Sequence, residues 1–479
     1  MERPRIQEKK VETALIQFVF PFSIRKGCSE ALKERLKKDG YEYFHLERTE
    51  MENRYYGEGY KVSHRNMERY YLPFTASVLF PHSEEQEGFQ RYSRCLGTDG
   101  VLSLAHSDIG FRIHSIDIAL CPFDLGFITY RTEITDADIT FSAALEFANK
   151  LRQLENILHD PHYPNLYANS RKYPEVQAYL LKELASSLLP YLDRKNEKEA
   201  YFETLPFFVD EKMHVQALFS FRKGTELNEV DVYRAGQLDG VDEDGTPFIS
   251  AYNTRYIEAY SKTNGYDRWA PETYYITAES TFICLTSEDE RRAVQLANQM
   301  YGPYYYSLLL NLFHKIALLK LSSEYASVRI ERDEEKVEDL IRSITTFSSK
   351  FFFVELVAQT QGRELFIQLR KVFGNDELYE DVKQTLSSLY RYQERASARN
   401  NNYLLLIFTV YTVITGIYGM NQVIEDLKGN IQWEKIKNYS IFEYLALFVT
   451  ISGLVIGIYI GITALAKWMK EHRKYKERK

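Results

Sequence analysis

The chain has 479 residues, a mean hydropathy of −0.38 and a formal net charge of −7, from 60 Lys and Arg against 67 Asp and Glu. That balance argues against a direct nucleic-acid binder, and the length leaves room for two or three domains. Cys28, Cys95, Cys121 and Cys284 are widely spaced with no CxxC pattern, which disfavours a disulfide framework or a thiolate zinc site.

Met1 to Lys10 is charged, and the apolar run Ala14 to Phe20 is too short for a signal peptide or a membrane span, so it reads as a strand. Ser29 ahead of Glu30-Ala31-Leu32 caps a short helix that Asp39-Gly40 ends. Strands are expected at Tyr70 to Phe80, Phe111 to Leu120 and Gly126 to Thr135. The last two form a hairpin about the turn Cys121-Pro122-Phe123-Asp124. From Asp136 to Leu158, Ile139, Ala143, Phe147, Leu151 and Leu154 recur at helical spacing and give an amphipathic helix. Pro174 to Leu189 is a second helix with proline in its first turn. Strands follow at Met213 to Arg222 and Tyr274 to Leu285. Residues 1–286 therefore read as a mixed sheet covered by helices.

Polar constellations in this region have competing readings. His159-Asp160-Pro161-His162 follows a helix end, where such residues make turns, with metal ligation the sharper alternative. Asp239, Asp242, Glu243 and Asp244 before Gly245 lack the Asp-x-Asp-x-Asp-Gly spacing of a calcium loop and read as a solvated turn. Tyr55-Tyr56 and Tyr304-Tyr305-Tyr306 read as core or interface, with stacking on a ligand base the lesser alternative.

Beyond Ser287 the pattern is helical. Glu288 to Gln299 precedes a break at Gly302-Pro303. Tyr304 to Leu321 is strongly apolar but holds His314, Lys315 and Lys320, which favours a buried or interfacial helix over a membrane span. Apolar positions from Val337 to Leu389 keep helical spacing around an interruption at Gly374-Asn375, so residues 287–399 read as a helical stalk.

Two uncharged runs close the chain, residues 400–424 and 444–466, each longer than the about 20 residues a helix needs to cross a bilayer. They flank a polar loop, 425–443. The tail, 467–479, carries seven bases and two acids, which leaves −12 for the remainder. Basic flanks mark the cytoplasmic side, so the expectation is a multi-pass protein of the inner (plasma) membrane with both termini cytoplasmic. Asn401, Leu405, Thr409 and Thr412 fall within an arc of roughly 80° on a helix. That polar stripe faces the axis of a homo-oligomer on one reading; on the other, the threonines bond their own helix and Asn401 lies at an interface. Leu405 is the candidate dewetting gate.

The run Gly416-Ile417-Tyr418-Gly419-Met420-Asn421, closing the first uncharged segment, resembles the signature of the CorA family of divalent-cation channels and transporters. The resemblance covers roughly residues 330–479 in its specific features. It implies an α+β architecture: a large cytoplasmic mixed α/β sandwich domain, a long helical stalk and two C-terminal transmembrane helices in a funnel-shaped, pentameric homo-oligomer. It also implies that Thr412, nine residues before Asn421, lines a pore. Asn421 would then present amide oxygens to hydrated Mg²⁺, Gly419 permit a close turn, and Met420 pack away from the axis. Glu425 and Asp426 would gather cations at the outer mouth. Departures from the family are Thr409 and Asn401 in place of an apolar constriction, Arg395 where an asparagine is expected, and Gln422-Val423-Ile424 in place of a short acidic loop with proline.

The expected function is accordingly a divalent-cation (Mg²⁺) channel gated by its cytoplasmic domain, with the lipid bilayer, the transported cation and copies of itself as partners and no cofactor. The alternative is a nucleotide-second-messenger-gated effector of a prokaryotic antiviral, CRISPR-type defence system, motivated by the enlarged N-terminal region and the altered loop. No Walker loop, dinucleotide fingerprint or HExxH supports an enzyme. An enzyme merely anchored by the hairpin is disfavoured by the polar stripe.

Overall fold

The computed structural model describes residues 4–156, 159–193, 212–268, 270–328, 333–357, 359–419 and, in part, 433–462. In chain order, β1 (Val11–Ser23), α1 (Ser29–Lys38) and β2 (Glu42–Tyr43) lead to α2 (His64–Tyr70) and α3 (Pro73–Leu79). The meander β3 (Gln90–Ser103), β4 (Asp108–Cys121) and β5 (Leu125–Ile134) follows, then α4 (Phe141–Leu151). After it come β6 (Asn165–Ala168), β7 (Arg171–Tyr173), α5 (Val176–Tyr179), β8 (His214–Phe221), α6 (Glu229–Gln237) and α7 (Thr254–Asn264). β9 (Gly265–Tyr266), β10 (Thr273–Ala278) and β11 (Thr281–Thr286) complete the strands. The helices α8 (Glu290–Tyr301), α9 (Pro303–Ser327), α10 (Glu334–Thr346), α11 (Thr360–Val372) and α12 (Asn375–Gly419) follow. The chain divides into two compact units, Met1–Thr385 and Leu386–Lys479.

All eleven strands join one sheet in the order β7-β6-β3-β4-β5-β1-β8-β11-β10-β9, with β2 against β3. Every pairing is antiparallel except β8 with β11. Because strand side chains alternate between faces, the central strands present two different surfaces. Ile16, Phe18, Ile116, Ile118, Ile128 and Phe219 belong to the main apolar core, where α4 packs through Phe141 on Phe219 and Phe221 and through Phe147 on Phe111. The intervening residues include Gln17, Asp117, Thr129, Arg131 and Gln216, all buried. This polar face meets α8 and α9: Gln17 and Gln216 donate to the Met300 carbonyl, and Thr129 shares a 2.8 Å hydrogen bond with Tyr305. α9 is apolar around its circumference and is buried from Tyr304 to Leu318, as such a helix must be in a globular unit.

Several expectations need correction. Tyr70 to Phe80 is not a strand: Ser63 caps α2 through the Asn66 amide, and Pro73, with no N–H to give a ladder, starts α3. Cys28, not Ser29, occupies the N-cap of α1. The helix expected at 136–158 is trimmed to α4 because Thr140 caps it, accepting from the Ala143 amide. The helix expected at 174–189 is broken into α5 and a π turn at Leu180–Leu184. Residues 274–285 turn at Glu279-Ser280 into the hairpin β10–β11. The stalk is several helices: a π turn at Phe347–Phe351 separates α10 from α11 in place of the continuous helix expected, while Gly374 at φ +65° separates α11 from α12 at the interruption expected there.

The largest correction concerns the membrane. The unit is mixed α/β with a large sheet, but among the described residues no helix is long and apolar enough to cross a membrane. This overturns the expectation of two C-terminal transmembrane helices and, with it, the multi-pass inner-membrane placement. In α12 the uncharged stretch begins at Asn400 and the described helix ends at Gly419. Met420, Asn421, Glu425, Asp426 and the basic tail lie outside the described residues, and the run 444–466 is described only in pieces.

Candidate functional site

A cleft of about 560 Å³ in the first unit lies where the β3–β4 turn, one face of α4 and two loops converge. Two of those loops carry the constellations singled out in the sequence, Asp160 with His162 and Asp242 with Glu243 and Gly245. Folding thus joins segments that lie far apart in the chain.

From α4, Ala143, Glu146 and Lys150 recur three and four residues apart and so share one face. Lys150 Nζ bonds Asp160 Oδ2 at 2.9 Å, which with the amide of His162 holds the Asp160 carboxyl below its usual range despite some burial. Asn156 braces that turn, its side chain accepting from the Asp160 amide at 2.7 Å and donating to the Asp160 carbonyl at 3.1 Å. Glu146 is half-buried and packs directly on the backbone at Gly240, where an added Cβ would fall 2.6 Å from its side chain. Burial pushes its carboxyl above the ordinary range, against the lowering effects of Lys150 and of the Val241 amide, which donates at 3.5 Å.

The acidic loop after α6 is a rigid turn. Asp242 accepts from the amides of Asp244 and Thr246 and from the Thr246 hydroxyl at 2.6 Å, so its carboxylate is engaged by its own loop. Gly245, at φ +79°, lets the chain pass under the ring of His106, whose Nε2–H donates to the Glu243 carbonyl at 2.9 Å. Beneath the loop, fully buried Arg234 donates to the carbonyls of Phe248 and Gly240 and to the Ser142 hydroxyl. Asp239 accepts from the amide and hydroxyl of Ser250, both at 2.7 Å, and burial raises its pKa. Arg234 sets the loop geometry, and reading the sequence alone missed it: the one signal is an arginine three residues after Asp231 in α6, and both are buried.

The cleft can therefore present Glu146, Glu243 and the Lys150–Asp160 pair, rimmed by His106, His162 and Phe248, on a backbone fixed from below. Its carboxylates outnumber its one lysine, so it favours positively charged ligand groups over phosphates.

The residues expected to line a pore fall elsewhere. Asn401, Leu405, Thr409 and Thr412 lie on α12 and are exposed. Thr409 and Thr412 each donate at 2.7 Å to the carbonyl four residues earlier, Leu405 and Phe408, which is the self-bonded alternative weighed for them above. Gly419 ends α12. The tyrosine clusters are interior: Tyr55, Tyr56, Tyr304, Tyr305 and Tyr306 are all nearly inaccessible.

No protein-family model matches the chain, and no curated protein is similar enough to it to count as a match.

Proposed function

We propose that the first unit is a receptor for a small cationic ligand, held in the cleft between α4 and the two acidic loops, and that the chain is a ligand-responsive protein. The resemblance carried by Gly416 to Asn421 favours a divalent cation as that ligand. Conduction by a ring of copies would need helices that cross a bilayer, and the described helices supply none, so the proposal is confined to the receptor part of that expectation.

The observation that carries it is Glu146. Its carboxyl is pressed on the Gly240 backbone, burial raises its pKa, and it faces a site whose other carboxylates are Asp160, Asp242 and Glu243. A cation entering there competes with a proton for Glu146, whose carboxyl burial holds above its ordinary range, so binding weakens as pH falls and, in mildly acid solution, association releases protons. Titration calorimetry of the full chain with Mg²⁺, in two buffers of different ionisation enthalpy, tests this. Glu146→Gln should abolish the proton release and weaken binding; identical heats for wild type and variant would remove Glu146 from the site.

The cleft volume supports a second reading. About 560 Å³ suits a small organic ligand rather than a bare ion, and Phe248 and His106 place aromatic rings in its lining. That favours the messenger alternative, with a nucleotide bringing its own Mg²⁺ to offset the acidic walls. The same calorimetry with adenosine monophosphate, with and without Mg²⁺, separates the two: binding only with both present selects this reading.

A further inference from the structure

We propose a second site, independent of the cleft: His45, Glu47 and His82 form a binding site for a zinc-class transition-metal ion, which clips the segment after β2 to the segment after α3. One potential ligand atom from each of the three residues lies within 4.8 Å of the other two.

The geometry of His45 carries the argument. Its Nε2 lies 2.9 Å from the backbone carbonyl of His82. A carbonyl oxygen only accepts, so Nε2 carries the hydrogen and Nδ1 presents its lone pair. Ligating imidazoles are fixed in this way, one ring nitrogen donating to a carbonyl while the other faces the metal. Nδ1 stands 3.9 Å from Glu47 Oε2, and the rings of His45 and His82 are centred 6.2 Å apart. Ligands on one tetrahedral zinc, each about 2.0–2.1 Å from the ion, lie about 3.3 Å from one another. Glu47 and His82 are exposed, so rotation of their side chains closes the remaining gap without moving backbone. The ion replaces a weak contact, the 3.3 Å approach of the Glu47 amide to Nδ1.

Both carriers are held in place beforehand. Tyr43 donates its hydroxyl to the Pro81 carbonyl at 2.9 Å, the His82 amide donates to Gln86 Oε1 at 2.9 Å, and the Phe44 amide donates to the Arg91 carbonyl at 2.8 Å. The ligands are thus anchored to β2 and β3, which the sheet fixes, and little ordering remains to oppose binding. Two imidazole nitrogens and one carboxylate oxygen, with a fourth position open to water, suit Zn²⁺ and not Mg²⁺, which prefers an all-oxygen octahedron.

The test is calorimetric titration of the chelator-stripped full chain with Zn²⁺ alone, and separately with Mg²⁺. One Zn²⁺ per chain is expected. Glu47→Gln and His82→Ala, both at exposed positions, should each weaken it at least about tenfold while leaving the unfolding midpoint of the metal-free protein unchanged. Co²⁺ in place of Zn²⁺ should give the visible absorption of a four-coordinate site, lost in the same variants. Absence of stoichiometric Zn²⁺ binding, or unchanged affinity in both variants, would overturn the proposal, the second result by placing the ion elsewhere.

Discussion

Arg131 lies 2.6 Å from Asp117 Oδ2 with both side chains fully inaccessible to solvent, and Arg91 reaches the same oxygen at 2.9 Å from the other side. One carboxylate thus serves two guanidiniums inside the sheet. The surplus positive charge is spread over hydroxyls and ring faces: Arg91 donates to Tyr306 and Ser93, and Arg131 to Ser115. Arg131 also sits 5.0 Å and 5.2 Å from the ring centres of Tyr56 and Tyr305. Of the tyrosine clusters visible in the sequence, Tyr55, Tyr56, Tyr305 and Tyr306 line this network, while Tyr304 packs on Tyr275 and Phe282. Replacing Asp117 by Asn leaves two buried cations without their counter-charge, and the first unit should lose about 3–5 kcal/mol of stability. Urea unfolding followed by tyrosine fluorescence measures it; a loss under about 1 kcal/mol would mean that water or rearrangement compensates.

Stability should fall in two stages on acidification. His214 and His314 are buried, and burial, aided by nearby Arg152 and Lys315 for the first and by Arg370 for the second, lowers each pKa from 6.5 to about 3. Such groups contribute stability that is complete above the unfolded value and is lost as pH falls from 6.5 toward 3. For Asp117 burial alone would favour the neutral acid, but Arg131 and Arg91 outweigh it and hold the pKa below 3.8, so its contribution disappears only below that value. His214 has no hydrogen-bond partner on either ring nitrogen among the described residues. His214→Leu should therefore flatten the stability profile between pH 6.5 and 4, as melting at pH 4.5 and 7.5 would show; an unchanged slope would assign the acid sensitivity to other groups.

Gly240→Ala probes the cleft from its floor. The new Cβ would lie 2.6 Å from Glu146 Cβ and 2.7 Å from Glu146 Cα, atoms of a helix that cannot rotate aside. Overpacking of this kind costs about 1–3 kcal/mol, and by displacing Glu146 it should also weaken Mg²⁺ binding. Stability and affinity measured on the same preparation should fall together; intact affinity would show that Glu146 is not a ligand.

Thr409→Val with Thr412→Val tests the stripe on α12. Both hydroxyls bond their own helix, and valine keeps their shape, so helicity at 222 nm and the melting midpoint should stay within about 0.5 kcal/mol of wild type. A clear loss would give these hydroxyls partners beyond their own helix.

What the sequence made legible follows from burial pattern. β1, β4, β5 and β8 are apolar on at least one face and announce themselves, as does the β4–β5 turn, where Phe123 and Asp124 take positive φ. β3 escaped because Arg91, Ser93 and Arg94 interrupt any apolar pattern; Arg91 and Ser93 are buried and Arg94 half-buried through an ion pair and hydrogen bonds that no local window contains. α2 and α3 escaped because tyrosines and β-branched residues imitate a strand, and capping decided otherwise. Both halves of the cleft were visible as polar groups, yet nothing local said that Asp160 and Glu243 meet over Glu146. His45 and Glu47 were passed over because His82, the third ligand, reaches them only through the fold of α2 and α3.

The position of β1 bears on how the chain is made. This first strand lies between β5 and β8, pairing residue 15 with 133 on one side and residue 19 with 214 on the other. Its second edge therefore has no partner until about 200 further residues have been synthesised, and such long-range pairing is slow to form. During that interval the nascent chain holds an apolar strand with one open edge, a template for pairing with a neighbour on the same message. Shielding by a chaperone at the ribosome exit, until β8 emerges, is what this topology demands of the cell.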